Sequence, residues 1–276
     1  MDQFRFPIGR PDIPIKERPI QLNLPLTEPP SRNRPTLEQL LQRATGGLRL
    51  DRRTVFRPSM TYQVLHDPFW VWCEYHAPRS EAVDETTRYQ KLLMQQGVEF
   101  EHAWIQKHYP DAVTIEPPFG LEALRNTLQA MLAGTRVIAQ PQLWDLSGES
   151  YGKADLMIRD ESTSSDLGSY HYRLIEIKRS KSLRDYHVMQ AALYNRMVGR
   201  IQGHVPEEIT VALKSGEEQV GKIHRQLESM LRELRLIQDV MMVCGGVSGS
   251  VHSDFDDEVE HVLRRCGSDR TRRVRG

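Results

Sequence analysis

Two stretches of this sequence, Gly152-Lys153-Ala154-Asp155 and Glu176-Ile177-Lys178, carry residue types that can do chemistry together. Asp155 stands near the start of an apolar, strand-like stretch, and Glu176 and Lys178 close the strand-like run LIEIK. Side chains two apart on a strand project to one face, so a carboxylate and an ammonium are presented together while Ile177 turns toward the core. A third pattern, Gln190 with Tyr194, has the i,i+4 spacing of one helical face. Upstream, Gly97-Val98-Glu99-Phe100-Glu101-His102 offers a further acid on a helix. Carboxylates gathered round one point repel each other unless a cation sits between them, and hard oxygen ligands suit Mg²⁺ or Mn²⁺. A lysine in the same place suggests hydrolysis. Its ammonium can orient an attacking water or neutralise charge that develops at phosphorus.

The elements that must position these residues can be read in outline. Residues 1–35 are proline-rich and lack periodicity, which fits an extended or disordered arm. Within it, Gln21-Leu22-Asn23-Leu24-Pro25 faintly resembles the short peptide with which bacterial replication proteins bind the sliding clamp, although proline stands where the aromatic would be. Thr36 and Gln39 read as a capping box that opens the helix LEQLLQRAT, and Gly46-Gly47 stops it. Ser59 to His76 and Arg88 to His108 read as core-facing helices, whose aromatics are expected to pack rather than to stack on bases. GLEALRNTLQAMLAG reads as a helix closed by Gly134. Arg136–Trp144, Tyr151–Ile158 and Tyr172–Ile177 read as strands, with DESTSSDLGS as a hairpin loop between the last two. Arg184–Gly199 is expected as a helix, Glu207–Leu213 as a strand and Val220–Cys244 as a long amphipathic helix. The fold class expected is mixed α/β.

Singly, charged strand ends mark solvated edges in most proteins. The ordered set is more specific: GxxD, about twenty residues, ExK at the end of an apolar strand, twelve residues, then QxxxY on a helix. This set resembles the PD-(D/E)XK nuclease superfamily and its RecB-like branch, which includes nuclease domains of recombination enzymes and CRISPR-associated adaptation nucleases. Ser59-Met60-Thr61 leading to Asp67-Pro68, Gly97-x-x-x-Glu101, and Ala130-Met131-Leu132-Ala133-Gly134 before a strand ending near Trp144 extend the resemblance over roughly residues 55–243. It implies a restriction-endonuclease-like core, a mixed central β-sheet flanked by helices, at residues 36–245, with the arm before it and a flexible acidic-then-basic tail at 246–276. It also implies roles. Asp155 and Glu176 would be the principal metal ligands, joined by the backbone carbonyl of Ile177. Glu101 would complete the shell, with its neighbour His102 as the fallback. Lys178 would activate or position water, and Gln190 and Tyr194 would shape the site and touch the substrate backbone.

The activity implied is metal-dependent hydrolysis of DNA phosphodiester bonds, on single strands or ends and leaving 5′-phosphates, in repair, recombination or defence. The alternative is a catalytically weak nucleic-acid-binding or assembly subunit of a larger nuclease complex, so a protein partner is also expected. A third reading keeps the nuclease chemistry but places it, RNA-directed or defence-associated, inside a larger complex. Relatives that hold an iron–sulfur cluster use one cysteine just before the proline of the first helix and three near the C-terminus. Here Asp67 precedes Pro68, and only Cys244 and Cys266 lie late in the chain, so no cluster is expected.

Composition narrows the classes. Lys+Arg and Asp+Glu both number 37, but residues 1–60 hold 11 basic against 6 acidic, residues 61–260 hold 20 against 30, and residues 261–276 hold 6 against 1. Two basic ends flank an acidic middle, so bulk charge alone does not grip a polyanion. The Arg-rich end RRCGSDRTRRVRG is expected to contact phosphates. No long apolar run and no signal-like start occur, and the odd, scattered Cys73, Cys244 and Cys266 suit a reducing compartment. A cytoplasmic protein with no membrane contact is expected. No Walker-type phosphate loop is present, which argues against ATPase activity.

Overall fold

The run HYRLIEIK becomes β6 (His171–Lys178), a strand buried along most of its length. It carries apolar residues on both faces, Tyr172 and Leu174 on one and Ile175 and Ile177 on the other, as a strand covered by helices on either side must. The computed structural model describes residues 34–50, 55–66, 71 and 87–215, and the backbone of 218–222. Around β6, the strands β1 (Val113–Thr114), β2 (Val137–Ala139), β5 (Leu156–Asp160), β7 (Glu208–Leu213) and β8 (Glu218–Lys222) form a six-stranded sheet in the order β1-β2-β5-β6-β7-β8. The β1/β2 and β6/β7 pairs are parallel and the others antiparallel, so the sheet is mixed. A separate two-stranded ribbon joins β3 (Gln142–Asp145) to β4 (Ser150–Lys153).

Helices α1 (Leu37–Thr45), α2 (Thr61–His66), α3 (Arg88–His108), α4 (Leu121–Leu132) and α5 (Asp185–Gln202) surround these strands. The period-2 alternation of the strands divides the core. Ile138, Met157, Tyr172 and Leu174 join Leu40, Leu128, Met131 and Met197 from α1, α4 and α5 on one face. Val137, Leu156, Ile175 and Ile177 pack on the other against Trp104 and Ile105 of α3. Each such side chain removed from water stabilises the fold by roughly 1.5–3 kcal/mol. Helix α5 carries the chain from β6 to the parallel β7, the crossover that a parallel pair requires.

Local signals read from the sequence hold for α1. Thr36 and Gln39 make both halves of the capping box, and Gly46 ends the helix at a φ of 59°. Hairpin β5–β6 forms with Asp160 opposite His171, and the polar loop lies between them. Other expectations need correction. The stretch 136–144 is not one strand: Gln140 adopts a φ of 57° and Pro141 follows, so the chain leaves the large sheet after β2 and enters the ribbon as β3. The stretch 151–158 is likewise split between β4 and β5. Residues 220–222, expected to open a helix, instead pair with β7 as part of β8. Helix α3 is only partly core-facing, since Trp104 and Ile105 are buried near its end while Tyr89, Leu92 and Val98 are exposed. The segment from Ser59 begins as a 3₁₀ turn, Pro58–Met60, before α2. Arg34, assigned to the arm, already donates hydrogen bonds to the Leu132 carbonyl and the Tyr170 hydroxyl.

The clamp-like segment, Asp67-Pro68, all three cysteines, the remainder of the helix expected from 220, and the tail 246–276 lie outside the described residues. No helix among the described residues is long and apolar enough to cross a membrane. Leu128 is fully buried where α4 meets the sheet. Leu128→Ala is therefore expected to lower unfolding free energy by about 2–5 kcal/mol, read by urea denaturation.

Candidate active site

The site is built where β5 begins and β6 ends. Leu156 pairs with Ile175 across the antiparallel ladder, which carries Asp155 alongside Glu176. The Ile177 N–H donates to Asp155 Oδ2 at 2.7 Å, locking that carboxylate to the neighbouring strand. Glu176 lies on the α5 side of the sheet and is fully buried. Its Oε2 accepts from Lys178 Nζ at 2.9 Å and from Gln190 Nε2 at 2.9 Å. Lys178 Nζ also stands 3.7 Å from Asp155 Oδ2, so one ammonium faces both carboxylates. Ile177 faces the opposite core. The alternation anticipated for ExK is what the strand displays.

Tyr194 is almost wholly buried, and its hydroxyl donates to the Lys153 carbonyl at 2.9 Å. This links α5 to the ribbon that leads into Asp155. The tyrosine passes so close to Gly152 that a Cβ there would lie 2.8 Å from the Tyr194 hydroxyl and 3.2 Å from Pro58 Cδ. The glycine of GxxD and the tyrosine of QxxxY are thus two halves of one contact. Tyr194 acts on the site through the main chain of Lys153. Gln190 acts on Glu176 directly.

Glu101 projects from α3 toward this group and accepts from Gln140 Nε2, while the Gln140 N–H donates to the Asp155 carbonyl at 3.0 Å. His102, one residue on, is exposed. No described atom lies within 4 Å of where a side chain on Gly97 would begin, so the helix surface one turn before Glu101 is open. Burial, with the charge of Asp155 added, raises the Glu101 carboxyl to about 8. Burial and Asp155 likewise raise Glu176 to about 8, against the opposing pull of Lys178. For Lys178 burial disfavours the charge, but Glu176 and Asp155 outweigh it and the group is held more firmly protonated than an ordinary lysine.

Among the described residues no three His, Cys, Asp or Glu side chains are already gathered as a metal cluster. The donor set nonetheless fits a hard cation. Glu176 Oε1 is buried without a hydrogen-bond partner, and two carboxyls are driven toward their neutral forms by burial and by a neighbouring anion. A divalent ion would relieve both.

Sequence reading passed over three residues that geometry brings in. Gln140 is the residue in the left-handed conformation that ties Glu101 to Asp155. Lys153 carries a positive charge that acts on Glu101. His187, in the first turn of α5, is buried, and burial with the charges of Lys178 and Arg184 lowers it to about 4. Its position three residues before Gln190 was the available signal, because i,i+3 residues share a face. His171, by contrast, sets its Nδ1 2.9 Å from the Thr163 carbonyl and stacks edge-on against His204, away from this chemistry.

Two outcomes follow from this geometry. Gly152→Ala must displace Tyr194 or Pro58 and is expected to cost about 1–3 kcal/mol in a thermal or chemical melt. Because the folded pKa of Glu176 lies above the usual 4.5, the folded state binds more protons than the unfolded chain between about 4.5 and 8, and stability is lost as pH rises through that window. In chelated protein, Glu176→Gln is therefore expected to gain Tm relative to wild type at pH 8 and not at pH 5; parallel pH profiles for the two proteins would contradict the buried, destabilised carboxyl. Compared with known proteins, the chain matches no family model and no curated protein.

Proposed function

We propose that this protein is a metal-dependent nuclease that hydrolyses DNA phosphodiester bonds, acting on single strands or ends. The observation that carries the reading is the convergence of Asp155, Glu176 and Lys178 on one point, with Glu176 Oε1 left unpartnered inside it. Nothing in the packing of a mixed sheet calls for two carboxylates and an ammonium there. Burying unsatisfied polar atoms is unfavourable and is retained where it serves chemistry. The restriction-endonuclease-like core and the RecB-like resemblance belong to the same proposal.

Asp155, Glu176, Glu101 and the Ile177 carbonyl are the oxygens that would hold Mg²⁺ or Mn²⁺. Such an ion supplies Lewis acidity and lowers the pKa of water. The chain's own residues supply the rest. Lys178 stays an ammonium, so it donates hydrogen bonds and offsets negative charge rather than accepting a proton. Directed at the scissile phosphate, it stabilises the charge that builds as the water oxygen bonds to phosphorus and the P–O3′ bond breaks, leaving a 5′-phosphate and a 3′-hydroxyl. Gln190 fixes the rotamer of Glu176, and the Ile177 N–H fixes that of Asp155. Both carboxylates are thereby oriented before substrate arrives.

The second reading, a DNA-binding or assembly subunit with weak catalysis, is favoured by one feature. Lys178 already offsets part of the negative charge of Glu176 and Asp155 internally, which reduces their pull on a metal. In either reading the setting, repair, recombination or defence, is part of the proposal, as is a protein partner.

Labelled single-stranded and duplex DNA incubated with pure protein and Mg²⁺ or Mn²⁺ separates the two. Cutting is expected, with chelator abolishing it and Lys178→Ala or Asp155→Ala reducing its rate by about a hundredfold or more. Absence of cutting by wild type together with a metal-independent, salt-sensitive mobility shift would favour the binding subunit. Variants as fast as wild type would refute this site.

A further inference from the structure

Phe119 keeps 46 % of its surface exposed. It lies in the turn Pro117-Pro118-Phe119-Gly120 that leads into α4, with Gly120 at a φ of 100°. Phenylalanine is ordinarily held by burial. Here the ring keeps nearly half of its surface open and has a cation beside it, with Lys153 Nζ 5.2 Å from its centroid.

Lys153 is no remote surface lysine. It stands two residues before Asp155 at the end of β4, and its carbonyl accepts from the Tyr194 hydroxyl. Gln142 Nε2 donates to the adjoining Gly152 carbonyl at 2.6 Å, so the main chain at this point is fixed from two directions. Its charge is also felt by Glu101. The turn carrying Phe119 is tied down separately, through Asn126 Nδ2, which donates to the Glu116 carbonyl at 2.6 Å.

An exposed ring beside a positioned ammonium, at the edge of a phosphodiester-cleaving centre, offers one nucleotide both of its contacts. The ring meets a base face and the ammonium meets a phosphate. Bases inside a duplex are covered on both faces by their neighbours, so a ring of this kind selects unpaired strands or frayed ends.

We propose that Phe119 and Lys153 form a nucleotide subsite beside the Asp155/Glu176 centre, in which Phe119 stacks on an unpaired base and Lys153 pairs with its phosphate. The inference rests on the nuclease reading above and deepens it by naming the two side chains that would recognise an unpaired base and its phosphate.

The test uses the full chain in chelator, so that no strand is cut. It measures fluorescence anisotropy with labelled oligothymidylate and with an abasic sugar-phosphate oligomer of the same length. Wild type is expected to favour oligothymidylate by about five- to a hundredfold, the range that one base–aromatic stack supports. Phe119→Ala abolishes the preference and leaves abasic affinity unchanged. Lys153→Gln weakens both ligands alike. Phe119→Trp keeps the preference, and its emission is quenched by oligothymidylate and not by the abasic oligomer. This last signal reads the stack directly even if the alanine variant melts early. A preference that survives Phe119→Ala, an unquenched Phe119→Trp, or a wild type indifferent to bases overturns the subsite. The cleavage assay with Lys178→Ala judges the nuclease reading separately, since a protein that cuts through Asp155, Glu176 and Lys178 can still lack this subsite.

Discussion

A fully buried carboxylate, Glu176, is the group around which the rest of this structure is arranged. Removing a charge from water is costly unless charge and hydrogen bonds replace the lost solvation. Lys178 and Gln190 meet part of that need at one oxygen, and the other oxygen is left without a partner. The arrangement succeeds only if three elements agree. Strand β6 must keep Glu176 and Lys178 on one face, β5 must bring Asp155 level with them, and α5 must lie close enough for Gln190 to reach inward.

The contact between Gly152 and Tyr194 enforces the last condition. Without a Cβ at 152, the tyrosine ring closes on the ribbon and its hydroxyl reaches the Lys153 carbonyl. Helix and ribbon are then held at a spacing set by one aromatic ring. Gln140 performs the corresponding service on the other side, where its left-handed backbone ends β2 and directs its amide to Glu101. A non-glycine residue in that conformation is unfavourable by itself, and such positions cluster at functional sites where surrounding structure over-determines them.

Legibility in the sequence followed the range of the forces involved. The capping box of α1, the Gly46 stop, the β5–β6 hairpin and the apolar run of β6 are short-range features, and each formed where its residues indicated. The break at Gln140-Pro141 was passed over, because the apolar residues Val137, Ile138, Leu143 and Trp144 on either side of it read as one strand until two different sheets claim them. Residues 220–222 carry a helical pattern and are recruited to β8 by the open edge of β7. Exposed Tyr89, Leu92 and Val98 on α3 show the same limit, since periodicity marks an apolar face without saying what covers it.

For the site, strand and helix periods alone determined that Glu176 and Lys178 share a strand face and that Gln190 and Tyr194 share a helical face, because those periods are local properties of the backbone, whereas Asp155 was joined to them only by the resemblance of the ordered motifs. Only the tertiary structure decided that Gln190 grips Glu176, that Tyr194 works through the main chain of Lys153, that Glu101 rather than His102 turns inward to meet Gln140, that His187 feels the charge of Lys178, and that Phe119 lies against Lys153. Those outcomes depend on how sheet, ribbon and helices pack, and packing brings together residues that no spacing relates.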